Sequence, residues 1–199
     1  MIFNDDTFID FFKESLNKYA PISSNSFNAL IASIKIREVS KGETILFVGQ
    51  IAKKILFVCK GILVSQWYDS DENVYIKNFF QEGNFAGSTV SMMTGAPSGF
   101  GIESLEDGIV LEINYDAYRQ TILKHEDLKN FYIAYLEQNW VIENEKRQIS
   151  FAAQNATERY LDFLKNYPLL PKRVPQRLIA SYLGITPTQL SRIRKDLKS

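Results

Sequence analysis

At 199 residues and 45% hydrophobic, the chain can bury one sizeable core and a small satellite domain. Its single cysteine, Cys59, and single histidine, His125, exclude an internal disulfide, a zinc site, a cysteine-ligated iron–sulfur cluster and a multi-histidine catalytic metal centre within one chain. Formal charge is zero overall but unevenly placed: from Thr157 onward nine basic residues meet three acidic ones, a net +6, which leaves −6 on residues 1–156.

The opening Met1-Ile-Phe-Asn-Asp-Asp is acidic where a secretory signal would be basic, and no apolar run approaches membrane-spanning length. A cytoplasmic protein with no membrane partner is expected. Residues 1 to about 36 lack glycine and read as helices, with Phe8, Phe11, Phe12, Leu16 and Tyr19 on one stripe and Phe27, Leu30, Ile31 and Ile34 on another. Nine of the ten glycines then fall between Gly42 and Gly108, where the pattern changes. Short β-rich runs at 44–48, 55–59, 62–68, 74–80, 99–104 and 109–113 alternate with turn signals such as Lys41-Gly42, Lys60-Gly61 and Glu82-Gly83-Asn84. Many short strands at near-regular spacing predict an antiparallel barrel or sandwich. Cys59, inside Ile55-Leu-Phe-Val-Cys, reads as a buried inert thiol rather than a redox switch.

From about Asp116 to Lys165 there is no Gly or Pro, and the pattern is helical. After a short helix around Tyr118 to Leu123, the residues Leu128, Phe131, Tyr135, Ile142, Ile149, Ala152 and Ala156 fit alternating three- and four-residue steps. Gln138 and Glu145 occupy the two remaining steps. Such a seam suits a helix lying along its own barrel or a pairing of two chains; the surplus of Phe131, Tyr132, Tyr135 and Trp140 favours the pairing. The segment from Tyr167 to Pro171 predicts a linker or tight turn.

Residues 174–199 are the most informative. A helix from about Gln176 to Leu183 would bury Leu178, Ile179, Tyr182 and Leu183. Gly184 suits the left-handed conformation that ends a helix, Thr186 can cap the next one, and Pro187 fits its first position. On that second helix, 187–198, Leu190, Ile193 and Leu197 form a buried stripe. Thr188, Arg192 and Lys195 face the opposite way, with Ser191 and Gln189 on the flanks. A basic exposed face on such a helix suits a reader of the DNA major groove, where Arg forks onto guanine and Gln pairs with adenine. The basic tail on an acidic body agrees with a sensor joined to a nucleic-acid module. An ordinary amphipathic helix with solvated charges is the plainer reading of the same stretch.

Helices, a glycine-punctuated β-roll, a long helix and a helix–turn–helix, in that order, resemble the Crp/Fnr family of bacterial transcription regulators over nearly the whole chain. The resemblance rests on Glu158-Arg159-Tyr160, Ile179-Ala-Ser-Tyr-Leu-Gly-Ile-Thr-Pro and Leu190-Ser-Arg-Ile-Arg-Lys, with Lys41-Gly-Glu43, Lys60-Gly61 and Gly83-Asn-Phe-Ala-Gly87 in the roll. It implies an α+β fold: an N-terminal double-stranded β-helix (a jelly roll like the cyclic-nucleotide-binding domain) with flanking helices over 1–123, a dimerisation helix over 124–155, and a C-terminal helix–turn–helix domain over 156–199. It also implies a homodimer, double-stranded DNA with a near-palindromic operator, and RNA polymerase as partners. The candidate DNA-binding residues are Thr186, Thr188, Gln189, Ser191, Arg192 and Lys195. The candidate effector pocket is Gly87, Ser88, Thr89 and Ser98.

Two departures qualify the resemblance. Relatives that bind cyclic AMP follow the roll's second glycine with Glu and later place an Arg against the cyclic phosphate. Here Ser88 follows Gly87, the segment 96–101 has no Arg or Lys, and no cation lies between Lys77 and Arg119. A partly buried phosphate needs a cationic fork or a nest of amides, so the usual cyclic AMP site is not expected, and the effector is a different small molecule or none. The sequence also stops before the β-hairpin wing of many relatives, which would shift backbone binding onto Arg173, Arg177, Lys195 and Lys198. No cofactor is expected: Cys59 or His125 could each ligate haem iron, but neither carries a supporting motif. Catalysis is not expected either, since there is no Gly-rich phosphate loop, nucleophile elbow or spaced His/Asp/Ser set. The alternative is a ligand-binding or protein-interaction module that has lost DNA affinity.

Overall fold

Two helices, α1 (Asp5–Asn17) and α2 (Ser24–Ile31), lead the chain in this computed structural model, which describes residues 5–70 and 73–197. Phe12 and Leu16 of α1 and Leu30 of α2 are fully buried, and Ser23 caps α2 by accepting from the Ser26 amide at 3.2 Å. The helical stripe read through Ile34 stops short. From Ile34 the chain enters β1 (Ile34–Val39), because Ile-Lys-Ile-Arg-Glu-Val also alternates and finds a full ladder on β8 (Gly108–Asn114).

Between them lie β2 (Thr44–Leu46), β3 (Lys54–Lys60), β4 (Leu63–Tyr68), β5 (Val74–Phe80), β6 (Phe85–Ala86) and β7 (Gly101–Ser104), with a short α3 (Thr89–Thr94) before β7. They form two antiparallel four-stranded sheets, ordered β1-β8-β3-β6 and β2-β7-β4-β5. The expected roll is present, with α3 unforeseen. Val39, Leu46, Leu56, Val58, Leu63 and Val110 pack between the sheets. Phe57, Leu111 and Ile113 turn outward from the first sheet onto α1 and α2. Ile62, Val64, Ile76 and Phe79 turn outward from the second sheet onto the C-terminal helices. Strands β4 and β8 are thus covered on both faces, which accounts for the unbroken apolar runs Ile62-Leu-Val and Ile109-Val-Leu. Burial pushes the Cys59 thiol up to about 12, as suits an inert core residue.

After β8 come α4 (Tyr115–Lys124), α5 (Glu126–Leu136), a π turn (Glu137–Ile142) and α6 (Glu143–Ala153). Asp127, in the first turn of α5, accepts from Ser26 Oγ at 2.7 Å and from the Ser23 amide at 2.8 Å, which ties α5 to α2. His125 Nδ1 lies 3.1 Å from the same Ser26 hydroxyl, so the lone histidine belongs to this tie. The proposed seam is corrected in its first third: Leu128 and Phe131 are fully buried, and Tyr135 packs edge-on to Phe85 and Tyr19. These residues face the roll of their own chain because α5 covers the aromatic core. In the π turn, Asn139 Nδ2 donates to the Tyr135 carbonyl (3.0 Å) and to Tyr19 OH (3.1 Å). Beyond Tyr135, Val141, Ile142 and Ile149 stand exposed.

The C-terminal unit holds α7 (Ala156–Asn166), α8 (Leu170–Arg173), α9 (Gln176–Tyr182) and α10 (Pro187–Asp196). Asn155 and Glu158 form a capping box at α7. The predicted linker 167–171 is in part the start of α8. No helix is long and apolar enough to cross a membrane among the described residues.

Candidate functional site

Helix α9 buries Leu178, Ile179 and Ala180, and ends where Gly184 takes φ +68°. The Ile185 amide donates back to the Ala180 carbonyl and the Gly184 amide to that of Ser181, both at 3.0 Å, a Schellman closure. Phe151, at the end of α6, lies over the turn: a Cβ on Gly184 would sit 3.1 Å from its Cε1. Thr186 Oγ1 then accepts from the Gln189 amide at 3.1 Å, with Pro187 opening α10.

Leu190 and Ile193 are the buried side of α10, while Thr188, Gln189, Ser191, Arg192 and Lys195 are exposed. Leu197 departs from the expected stripe at 45% exposure, because the helix ends at Asp196 and α9, only seven residues long, offers nothing beyond Ile193 to cover it. Lys198 lies outside the described residues. Thr186 is exposed and committed through its hydroxyl to the cap.

The C-terminal unit is docked on the second sheet. Ser181 Oγ accepts from the Ile76 amide (3.0 Å) and donates to the Val74 carbonyl (2.7 Å), satisfying the free edge of β5. Arg173 lies between two carboxylates of the roll: Nε and Nη2 donate to Glu106 at 3.0 and 2.6 Å, Nη1 and Nη2 to Glu82 at 3.0 and 2.7 Å. Glu82 also accepts from the Gly61 amide at 2.9 Å. Burial pushes the Glu82 carboxyl up, but the Arg173 fork and the amide outweigh it and hold the pKa below the ordinary value. Arg173 is therefore not free for phosphate, contrary to its expected role. Its sequence neighbourhood carries no signal of this, since both partners lie more than sixty residues away. Arg177 and Lys195 are exposed.

The four pocket candidates are divided. Gly87 and Thr89 line a cleft of about 880 Å³ between the roll, α6 and α7. Ser88 and Ser98, both 2% exposed, lie outside its wall with their hydroxyls 2.9 Å apart, and Ser98 Oγ also lies 2.7 Å from the Phe100 carbonyl. Met92 Cε sits 3.0 Å from where a Cβ on Gly87 would be. Counting along the chain missed the cations that do line the cleft, Lys77, Lys146, Arg147, Arg159 and Lys165. Lys77 Nζ lies 4.1 Å from the centroid of the Phe100 ring, and desolvation, followed by the Arg147 charge, lowers its pKa. Arg147 donates to the Lys77 carbonyl and to Asn78 Oδ1 (2.7 Å) and stacks on Tyr182.

With this geometry, comparison with known proteins is informative. Residues 36–125 match the family model of the cyclic nucleotide-binding domain. No curated protein matches the chain. FixK2 of Bradyrhizobium japonicum is similar in structure, with a TM-score of 0.69 at 18% identity over 83% of this chain and 84% of that one. CLP of Xanthomonas campestris, a c-di-GMP-responsive global regulator, gives 0.68 at 15% over 88% and 92%. DNR of Pseudomonas aeruginosa, a transcriptional regulator, gives 0.54 at 17% over 99% and 89%. At such identities the likeness is one of fold: a cyclic nucleotide-binding roll followed by helices, as in regulators of the Crp/Fnr type.

Proposed function

We propose that the chain is a DNA-binding transcription regulator of the Crp/Fnr type, with α9, the Gly184 turn and α10 as its helix–turn–helix. The observation that carries this reading is the sorting of α10: Leu190 and Ile193 are buried, and Thr188, Gln189, Ser191, Arg192 and Lys195 are all exposed on the other side. Such a helix can lie in the major groove with Arg192 and Gln189 toward base edges and Ser191, Thr188 and Lys195 toward bases or phosphates. Exposed Val141, Ile142 and Ile149 on the long helix support a homodimer, whose two α10 helices would meet a near-palindromic operator.

The roll works without the usual cyclic AMP contacts. Ser88 and Ser98 are bonded to each other, and Lys77 and Arg147 are held by Phe100, Asn78 and Tyr182. Among the described residues the two guanidinium forks lining the cleft, Arg147 and Arg159, are already engaged, and calorimetry with cyclic AMP should show no saturable micromolar binding. The decisive experiment is selection of bound fragments from the source genome, followed by affinity for the selected duplex across salt concentrations. A groove reader weakens steeply as salt rises, through counterion release, and binds the duplex as two copies. Salt-independent or absent binding would leave a module without DNA affinity.

A further inference from the structure

Strands β4 and β5 slip register once: Ser65 pairs with Asn78 and Gln66 with Ile76, so Lys77 is an extra residue with no partner on β4. Its carbonyl is answered from another element. Arg147, on α6, donates through Nη1 to that carbonyl and to Asn78 Oδ1 at 2.7 Å. The Arg147 Cζ also lies 4.7 Å from the centroid of the Tyr182 ring, at the end of α9. Tyr182 in turn lies 5.4 Å from Phe79 and 5.7 Å from Phe163, ring to ring, against β5 and α7. One turn further along α6, Phe151 lies over Gly184, and the Cζ atoms of Arg147 and Arg159 are 5.8 and 5.3 Å from the centroid of its ring. Arg159 Nε donates to the Leu183 carbonyl beside the same turn at 3.2 Å. Among the described residues no carboxylate lies within ion-pair distance of Arg147. Its charge is spent on a carbonyl, an amide oxygen and two rings.

We propose that Arg147 is the positioning residue of the C-terminal unit: its guanidinium joins the β5 bulge to the end of α9 and so sets where the Gly184 turn and α10 stand on the roll. A planar guanidinium can donate along its edge to Lys77 and Asn78 while lying over a ring, which a compact ammonium cannot do at once. Ser181 already binds β5 at Val74 and Ile76. One attachment fixes a distance and leaves α9 free to pivot about it. The second, from Tyr182 through Arg147 to the neighbouring stretch of the same strand, removes the pivot. The placement of the unit stands on these contacts alone; its consequence for an operator rests on the groove-reading function proposed above.

Hydrogen exchange of the whole chain, read amide by amide, tests the placement without DNA. In Arg147→Met, which keeps an unbranched stem, the Gly184 and Ile185 amides and the Ile76 amide that donates to Ser181 should exchange at least about tenfold faster, as loss of a charge-assisted bond implies. The Val110 and Leu111 amides of β8 should keep the parent rate, and Arg147→Lys should fall between parent and Arg147→Met. Unchanged exchange at the turn would overturn the proposal. Equal acceleration in β8 would do the same, because Arg147 would then serve general stability alone, and so would full recovery with Arg147→Lys, because a point charge would suffice. On a selected operator the parent should discriminate against a half-site spacing changed by one base pair, and Arg147→Met should lose most of that discrimination with its salt dependence unchanged. A shallower salt dependence would make Arg147 a phosphate contact and overturn its positioning role. Absence of operator binding by the parent would sink the groove reading instead, and the exchange rates would still decide the role of Arg147.

Discussion

The junction of α8 with the roll and the exposed face of α10 each hold an arginine of the basic tail, and the two live in opposite surroundings. Arg173 is forked between Glu82 and Glu106, whereas Arg192 stands exposed among Thr188, Ser191 and Lys195. Arg159 resembles the former, since it donates to the Leu183 and Gln154 carbonyls. The net +6 of the tail therefore overstates the charge left unengaged at its surface. Part of the acidic excess of the body is its complement across the junction. Charge asymmetry along this chain serves the docking of its two units.

The largest expected effect breaks the geometry that presents α10. Gly184→Val puts a β-branched residue at φ +68° and a Cβ 3.1 Å from Phe151, so strain and overlap act together. A loss of about 2–4 kcal/mol in the stability of the C-terminal unit is expected, with loss of operator binding and an intact roll. Limited proteolysis and thermal melts check it: unchanged cleavage and melting would remove the turn from its central place.

Arg192→Ala sharpens the contrast from the other side. It should leave the melting temperature unchanged and cost about 1–3 kcal/mol at the operator, with relaxed preference at one base position. Competition binding on operator variants is the measurement. An equal loss on every sequence would make Arg192 a phosphate contact.

The legible parts of the molecule were those whose chemistry is local. Gly184, Thr186 and Pro187 announce their turn because φ, cap and first-turn position each depend on neighbouring residues only. The roll was legible from its glycines and short runs, except the two-residue β6, the short α3, and β1, whose alternating Ile34-Lys-Ile-Arg also suited a helix until β8 supplied the ladder. Leu128 and Phe131 have the spacing of a seam whether they face a second chain or their own, and only the aromatic core of α1, β3 and β6 decides. The pairing of Arg173 with Glu82 and Glu106, and the approach of Lys77 to Phe100, join distant segments and leave no periodic trace.

At the junction, Arg173→Met leaves Glu82 and Glu106 partly buried side by side without their cation. A loss of about 1–2 kcal/mol is expected from this partly screened site, with Arg173→Lys recovering part of it because an ammonium cannot fork onto two carboxylates. Chemical denaturation of the three proteins checks the order. Equal stability of all three would show that the apolar contacts of Ile76 and Phe79 and the Ser181 bonds to β5 hold the units together without the fork.

The smallest effect is a dependence on pH. The folded pKa of Glu82 lies below its ordinary value, near 4.3, so its contribution is fully present above that value and is lost as pH falls through the folded pKa. Asp127, held at about 2 by Ser26 Oγ and by the Ser23 and Leu128 amides, adds an acid limb of the same sign elsewhere in the molecule. Comparison with Arg173→Met separates the two, because Asp127 is untouched by the change. In the variant the Arg173 bonds that lower the Glu82 pKa are gone, while the Gly61 amide, which lowers it, and burial, which raises it, both remain. Acidification should therefore cost the parent more melting temperature than the variant between about pH 5 and 3, and the two profiles should converge. Parallel profiles would mean that the Arg173 fork adds no net stability over the separated charges, and the junction would reduce to its apolar contacts and the Ser181 bonds to β5.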